Sequence, residues 1–131
     1  MFIDFTDEQK ALREELREYY ANLITPEVLE LQKQEEGTGP VRRRLVEQLG
    51  EDGWIAMGWP EEYGGLGVSP VRTAIYNEEL AYLRAPGRDI IGVRMLAPTL
   101  MVQGSDEQKD QLLTPQATAE VQRCKGYSDP E

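Results

Sequence analysis

From Gly58 to Gly67 the chain reads G-W-P-E-E-Y-G-G-L-G, with four glycines and a proline in ten residues. Glycine frees the backbone and proline fixes it, so neither a helix nor a strand tolerates that density, and the segment must be a shaped loop. On either side of it, apolar residues recur at helical spacing.

Thr6-Asp7-Glu8-Gln9 has the pattern of a capping box, and Leu12, Leu16, Tyr19, Tyr20 and Leu23 follow at helical intervals until Pro26, which predicts a helix over 7–24. Pro26 to Leu31 predicts a second short helix, and the polar, glycine-bearing Gln32 to Gly39 a mobile loop. A helix from Pro40 to Leu49 follows, with Leu45 and Leu49 on one face and Gly50 as a left-handed cap. Trp54, Ile55 and Met57 are candidate core residues, and Tyr63 and Leu66 are expected to pack back on the helices. Ser69-Pro70 reads as a cap and first helical residue, opening a helix through Tyr82 with Val71, Ala74, Ile75, Leu80 and Ala81 inward. The most apolar stretch runs from Gly87 to Gln103 and is kinked by Pro98, with Gly104 ending it. Ser105-Asp106-Glu107-Gln108 is a second capping box, starting a short helix through Leu113. Glu120 to Tyr127 is expected to be extended, as the chain's only strand. The fold expected is all-α, an orthogonal or up-down bundle of about five to six helices with a short extended C-terminal tail.

A chain of 131 residues is one domain on length alone. Its 40% apolar and 29% charged residues suit a soluble globular domain. With 14 basic against 24 acidic residues the formal charge is −10, which repels nucleic acid and anionic membrane surfaces. The one basic run, Arg42-Arg43-Arg44, reads as a solvated helix face rather than a phosphate site. One cysteine and no histidine exclude an intrachain disulfide, the usual metal clusters and a histidine-based nucleophile relay. Cys124 reads as a small packing residue. Glu61 and Glu62 stand side by side on the glycine-rich loop, and both are read as solvated rather than as an acid–base pair. No apolar run is long enough for a signal peptide or a membrane span, and a cytoplasmic location is expected.

Four segments together resemble the N-terminal helical domain of the acyl-CoA dehydrogenase family. They are Gly53 to Gly67 (G-W-I-A-M-G-W-P-E-E-Y-G-G-L-G), Asn77-Glu78-Glu79-Leu80-Ala81, Ala97 to Leu113 (A-P-T-L-M-V-Q-G-S-D-E-Q-K-D-Q-L-L) and the terminal C-K-G-Y-S-D-P-E. The resemblance covers essentially the whole chain. It implies a helical domain over residues 1–119, the start of a β domain over 120–131, and a share in an FAD enzyme that desaturates acyl-CoA thioesters in lipid or steroid catabolism.

On that resemblance Tyr127 and Ser128, with Lys125 beside them, are the candidate cofactor contacts. Met95, Leu96, Pro98 and Thr99 are the candidate wall of an acyl pocket; composition alone favours ordinary core packing for that helix, and the resemblance reverses that reading. Arg123, Lys125 and Gln116 depart from the family pattern, which commonly has an aromatic, a glutamine and an apolar residue there. The glutamate base of the family lies beyond these residues, so no catalytic residue is assigned. The chain alone is expected to be inactive and not to bind FAD, with an acyl-CoA substrate and a homo- or hetero-oligomeric partner in the complete enzyme. A stand-alone helical interaction module, or a degenerate fragment without catalysis, is the alternative.

Overall fold

The computed structural model describes residues 4–35, 39–86 and 90–126, and each regular element within them is helical. In chain order these are α1 (Asp7–Leu23), α2 (Pro26–Gln34), α3 (Pro40–Glu51), α4 (Pro70–Tyr82), α5 (Ala97–Gln103) and α6 (Asp106–Ala117). A 3-10 turn spans Glu61–Tyr63 and a π-helical segment spans Gly92–Leu96. The all-α fold with six α-helices is thus as the sequence predicts, and no strand occurs among the described residues. The stretch after α6 turns at Thr118 and Ala119 and then runs without ladder partners to Gly126.

Helix starts are set locally. The Thr6 N–H donates to Gln9 Oε1 at 2.9 Å while the Gln9 N–H donates to Thr6 Oγ1 at 3.3 Å. Ser105 and Gln108 repeat the exchange at 3.0 and 3.2 Å. Each box satisfies N–H groups that a helix start leaves without intrahelical partners. Thr25 and Ser69 cap α2 and α4, each ahead of a proline in the first turn. α2 runs to Gln34, past the predicted end at Leu31, and the Glu35 carboxylate accepts the Val41 N–H at 2.9 Å, capping the start of α3. The predicted loop is therefore shorter than its polar composition suggested, and residues 36–38 lie outside the described set.

Contacts group the chain into two units: Met1–Val46 with Val68–Gly87, and Glu47–Gly67 with Arg88–Glu131. In the first unit α1 packs on α4. Leu12, Leu16 and Tyr20 form the buried face of α1; Ile75, Tyr76, Glu79 and Leu80 form that of α4. This corrects the predicted inward set on α4. Val71 is 49% exposed, and Ala74 and Ala81 are also exposed. A reading that counts apolar residues cannot place a glutamate inward, and Glu79 at the centre of the buried face shifts the helix accordingly.

In the second unit Ala56, Trp59, Ala97, Leu113 and Ala117 form a buried cluster, with Tyr63, Val93, Leu100 and Met101 packed against it. Ile55 and Met57 are buried as predicted, Trp54 is half-buried, and Leu66 is 50% exposed, so only Tyr63 of the predicted loop pair packs on the core. α6 continues through Pro115 to Ala117, beyond the predicted end at Leu113. Burial of Leu113 and Ala117 offsets the one backbone hydrogen bond that proline removes.

Gly50 is not a helix cap. α3 runs through it to Glu51, and the left-handed residue is Gly53 at φ +79°. The role of Gly50 is close approach: a Cβ there would lie 2.1 Å from the Thr118 carbonyl oxygen. Ala119 then takes φ +59° while 5% exposed. A left-handed alanine costs about 1–2 kcal/mol, and glycine avoids that cost while giving up some chain entropy. Ala119→Gly should therefore raise stability by about 0.5–1 kcal/mol, seen as a higher melting temperature. A lower one would show that the Ala119 methyl contributes more by packing than its backbone costs.

Candidate functional site

The segment leading into α5 is wound wider than an α-helix. The Leu96 N–H donates to the Ile91 carbonyl at 2.9 Å, and the Ala97 N–H donates to the Gly92 carbonyl, both across five residues. π-turns of this kind are rare and concentrate at functional sites. Pro98 follows in the first turn of α5, where its missing N–H is tolerated best. Pro98 thus stands in the first turn of α5 rather than inside one helix running from 87 to 103, and the irregular winding lies N-terminal to it.

This winding divides the side chains. Val93, Ala97, Leu100 and Met101 pack on the core of their unit. Met95 and the residues three, four and seven after it, Pro98, Thr99 and Val102, share the opposite, exposed face, with Met95 at 45% and Val102 at 75% exposure. The Thr99 hydroxyl donates to the Met95 carbonyl at 2.8 Å, which uses its proton internally and leaves the face mainly apolar. Three of the four predicted substrate residues, Met95, Pro98 and Thr99, are thereby brought together. Leu96 is half-buried at the side of that face. Val102, absent from the predicted set, belongs to it by helical spacing alone.

Of the predicted cofactor residues, Lys125 is exposed on the tail, and Tyr127 and Ser128 lie outside the described residues. Along the tail Val121 and Arg123 are half-buried while Glu120, Gln122 and Cys124 are exposed. Cys124 therefore does not act as the packing residue predicted: it is a free thiol on the exposed side. The Arg123 Nε is buried without a hydrogen-bond partner.

The residues that the sequence did not single out lie in the first unit. Glu79 is 0% exposed, and its carboxylate accepts from Arg13 Nε at 2.7 Å and from Arg17 Nε and Nη2 at 2.9 and 3.2 Å. Burial raises the Glu79 pKa, but hydrogen bonds and charge from Arg17 and Arg13 more than offset it and hold the pKa below the usual carboxylate value. The Glu79 hydrogen bond raises the Arg17 pKa in turn. Burial, with Tyr76 beside it, pushes the Tyr20 phenol well above its usual value. A carboxylate held ionised by two arginines is a poor proton acceptor, so this cluster is architectural: it ties α1 to α4. The available signal was Arg13 and Arg17, four residues apart and flanking the Leu12–Leu16 stripe.

Residues 6–120 match the family model described as acyl-CoA dehydrogenase, N-terminal domain. The chain belongs to the acyl-CoA dehydrogenase family. It is 42% identical to acyl-CoA dehydrogenase FadE26 and 37% identical to FadE29, both of Mycobacterium tuberculosis; the matches cover 99% and 100% of the chain and 33% of each relative. Among solved structures it is similar to the ChsE4-ChsE5 complex of M. tuberculosis, with a TM-score of 0.85, 40% identity, and coverage of 99% of this chain and 32% of that one. It is also similar to the Tcur3481-Tcur3483 steroid ACAD, at a TM-score of 0.80 and 32% identity, covering 92% and 31%. The chain spans about a third of the length of the curated relatives it matches. No helix among the described residues is long and apolar enough to cross a membrane.

Proposed function

We propose that this chain contributes the N-terminal helical domain, residues 1–119, to an acyl-CoA dehydrogenase, and that Met95, Leu96, Pro98 and Thr99 form one wall of the acyl site. Residues 120–131 begin the next domain, with Lys125, Tyr127 and Ser128 directed to the flavin. The observation that carries the reading is the exposed apolar face of Met95, Pro98, Thr99 and Val102, turned away from the core of its unit. Such a face binds by excluding water from a hydrocarbon group. The relatives are acyl-CoA dehydrogenases, one solved neighbour is a steroid ACAD and another is a complex of ChsE4 with ChsE5. The substrate is accordingly a steroid-type acyl-CoA thioester, the reaction is α,β-desaturation, and the assembly is an oligomer with a second dehydrogenase chain. This chain's share in that reaction is to hold the acyl group, and Arg123 and Lys125 supply positive charge toward FAD.

Methionine methyl NMR tests the wall. Titration with a steroid acyl-CoA should shift the Met95 methyl and leave the buried Met57 methyl in place, and free coenzyme A should shift neither. A Met95 signal unmoved at millimolar thioester would sink the assignment. Core and wall also separate by mutation. Met95→Asp keeps its charge hydrated and should change stability by no more than about 0.5 kcal/mol, whereas Val93→Asp places a charge against the core and should cost several kcal/mol. Two tail cations do not enclose an isoalloxazine, so the purified chain should be colourless; a stoichiometric flavin spectrum would overturn that.

A further inference from the structure

We propose that Gly50 and Ala119 form a backbone lock that fixes the direction in which the chain leaves α6, making them positioning residues for the tail that carries Lys125. Its bearing on the cofactor rests on the reading above; the geometry of the lock does not.

Two locally unfavourable choices meet at one contact. Glycine inside a helix costs about 0.5–1 kcal/mol relative to alanine, and alanine in the left-handed region costs about 1–2 kcal/mol. At Gly50 the missing side chain lets the turn seat on the backbone of α3: an added Cβ would stand 2.1 Å from the Thr118 oxygen and 2.9 Å from the Ala119 nitrogen. At Ala119 the left-handed φ of +59° reverses the chain at that same point. Hydrogen bonds hold the reversal. The Ala119 N–H donates to the Gln116 carbonyl at 3.3 Å, the Val121 N–H to the Pro115 carbonyl at 3.1 Å, and the Thr118 hydroxyl to the Thr114 carbonyl at 3.2 Å. This resembles the turn that ends many helices, with alanine where glycine is usual. Strain of this kind persists where the surroundings over-determine the conformation. Beyond the turn, Val121 and Arg123 are half-buried and alternate with exposed residues.

Cys124 is the chain's single cysteine and is exposed, so it takes a nitroxide label without other changes. A second label goes on Gln103→Cys, an exposed position at the end of α5. Pulsed EPR then reads the distance from α5 to the tail. The unsubstituted lock and Ala119→Gly, which keeps the left-handed turn, should give the same narrow distribution. Gly50→Ala displaces Thr118, and Ala119→Pro forbids a positive φ, so each should move the distribution by about 5 Å or broaden it, with far-UV helix content retained. Where Gly50→Ala does not fold, Ala119→Pro decides, because residue 119 lies outside every helix. A folded variant of either kind with an unchanged distance overturns the lock, as does a tail without a fixed direction before any substitution. The distance readout contains no flavin, so a fixed tail that moves on substitution establishes the lock whether or not the cofactor assignment holds.

Discussion

Replacing Arg13 and Arg17 together by methionine should cost about 3–5 kcal/mol at neutral pH, because it strands a fully buried carboxylate without a partner. The two arginines are partly exposed, at 21% and 42%, whereas Glu79 is 0% exposed, so the asymmetry has a direction. Glu79→Gln alone leaves cations that reach water and should cost less than the double substitution. The pH profiles should also have opposite slopes. With both arginines present the Glu79 pKa in the folded protein lies below its unfolded value, so its contribution is present above the unfolded value and lost as pH falls through the folded one. Without them burial alone acts and the folded pKa rises, so the stability lost at neutral pH is regained as acid protonates the carboxyl. Urea unfolding at neutral and mildly acidic pH measures both slopes. Parallel profiles would show that Glu79 finds other partners. Adding Glu79→Gln to the double variant should restore much of the loss and flatten the difference.

What the sequence made legible follows from which forces act locally. Both capping boxes, the proline starts of α2 and α4 and the stop before Pro26 depend on residues within four positions of one another, and all appear where predicted. The errors fall where distant residues decide. Gly50 looked like a cap because a glycine after an apolar run usually is one; its actual neighbour, Thr118, is far along the chain. α6 runs through Pro115 because Leu113 and Ala117 are buried by residues of the loop and of α5, which no window around the proline contains. Glu79 is inward because Arg13 and Arg17 come to it from another helix. The exposed face of Met95, Pro98 and Thr99 was reached through family resemblance, whereas composition alone favoured ordinary core. A π-turn has no simple sequence signature, and without its register the split between Val93 and Met95 is not readable.

Gly65→Ala should be among the most damaging single substitutions in the second unit, costing about 3 kcal/mol or more. The cause is contact rather than backbone preference. An added Cβ would stand 2.1 Å from the Trp59 carbonyl oxygen, 2.5 Å from its carbonyl carbon and 2.6 Å from the Trp59 Cβ. None of these atoms is the free end of a side chain, so relief requires the loop backbone to open. Opening it breaks the bonds from the Gly65 N–H to Pro60 at 3.2 Å and from the Gly67 N–H to Trp59 at 2.9 Å. It also withdraws Trp59, 7% exposed, from the cluster with Ala97, Leu113 and Ala117 that holds α5 and α6. Gly67→Ala is the control. Its φ of +57° makes alanine strained, but its nearest neighbour is the Glu61 side chain at 3.7 Å, so the cost should be about 1 kcal/mol. Denaturant unfolding followed by tryptophan fluorescence compares the two, and Gly65→Ala should also shift the native emission to the red as Trp59 gains water. Equal costs for the two alanines would mean that the loop does not close on Trp59.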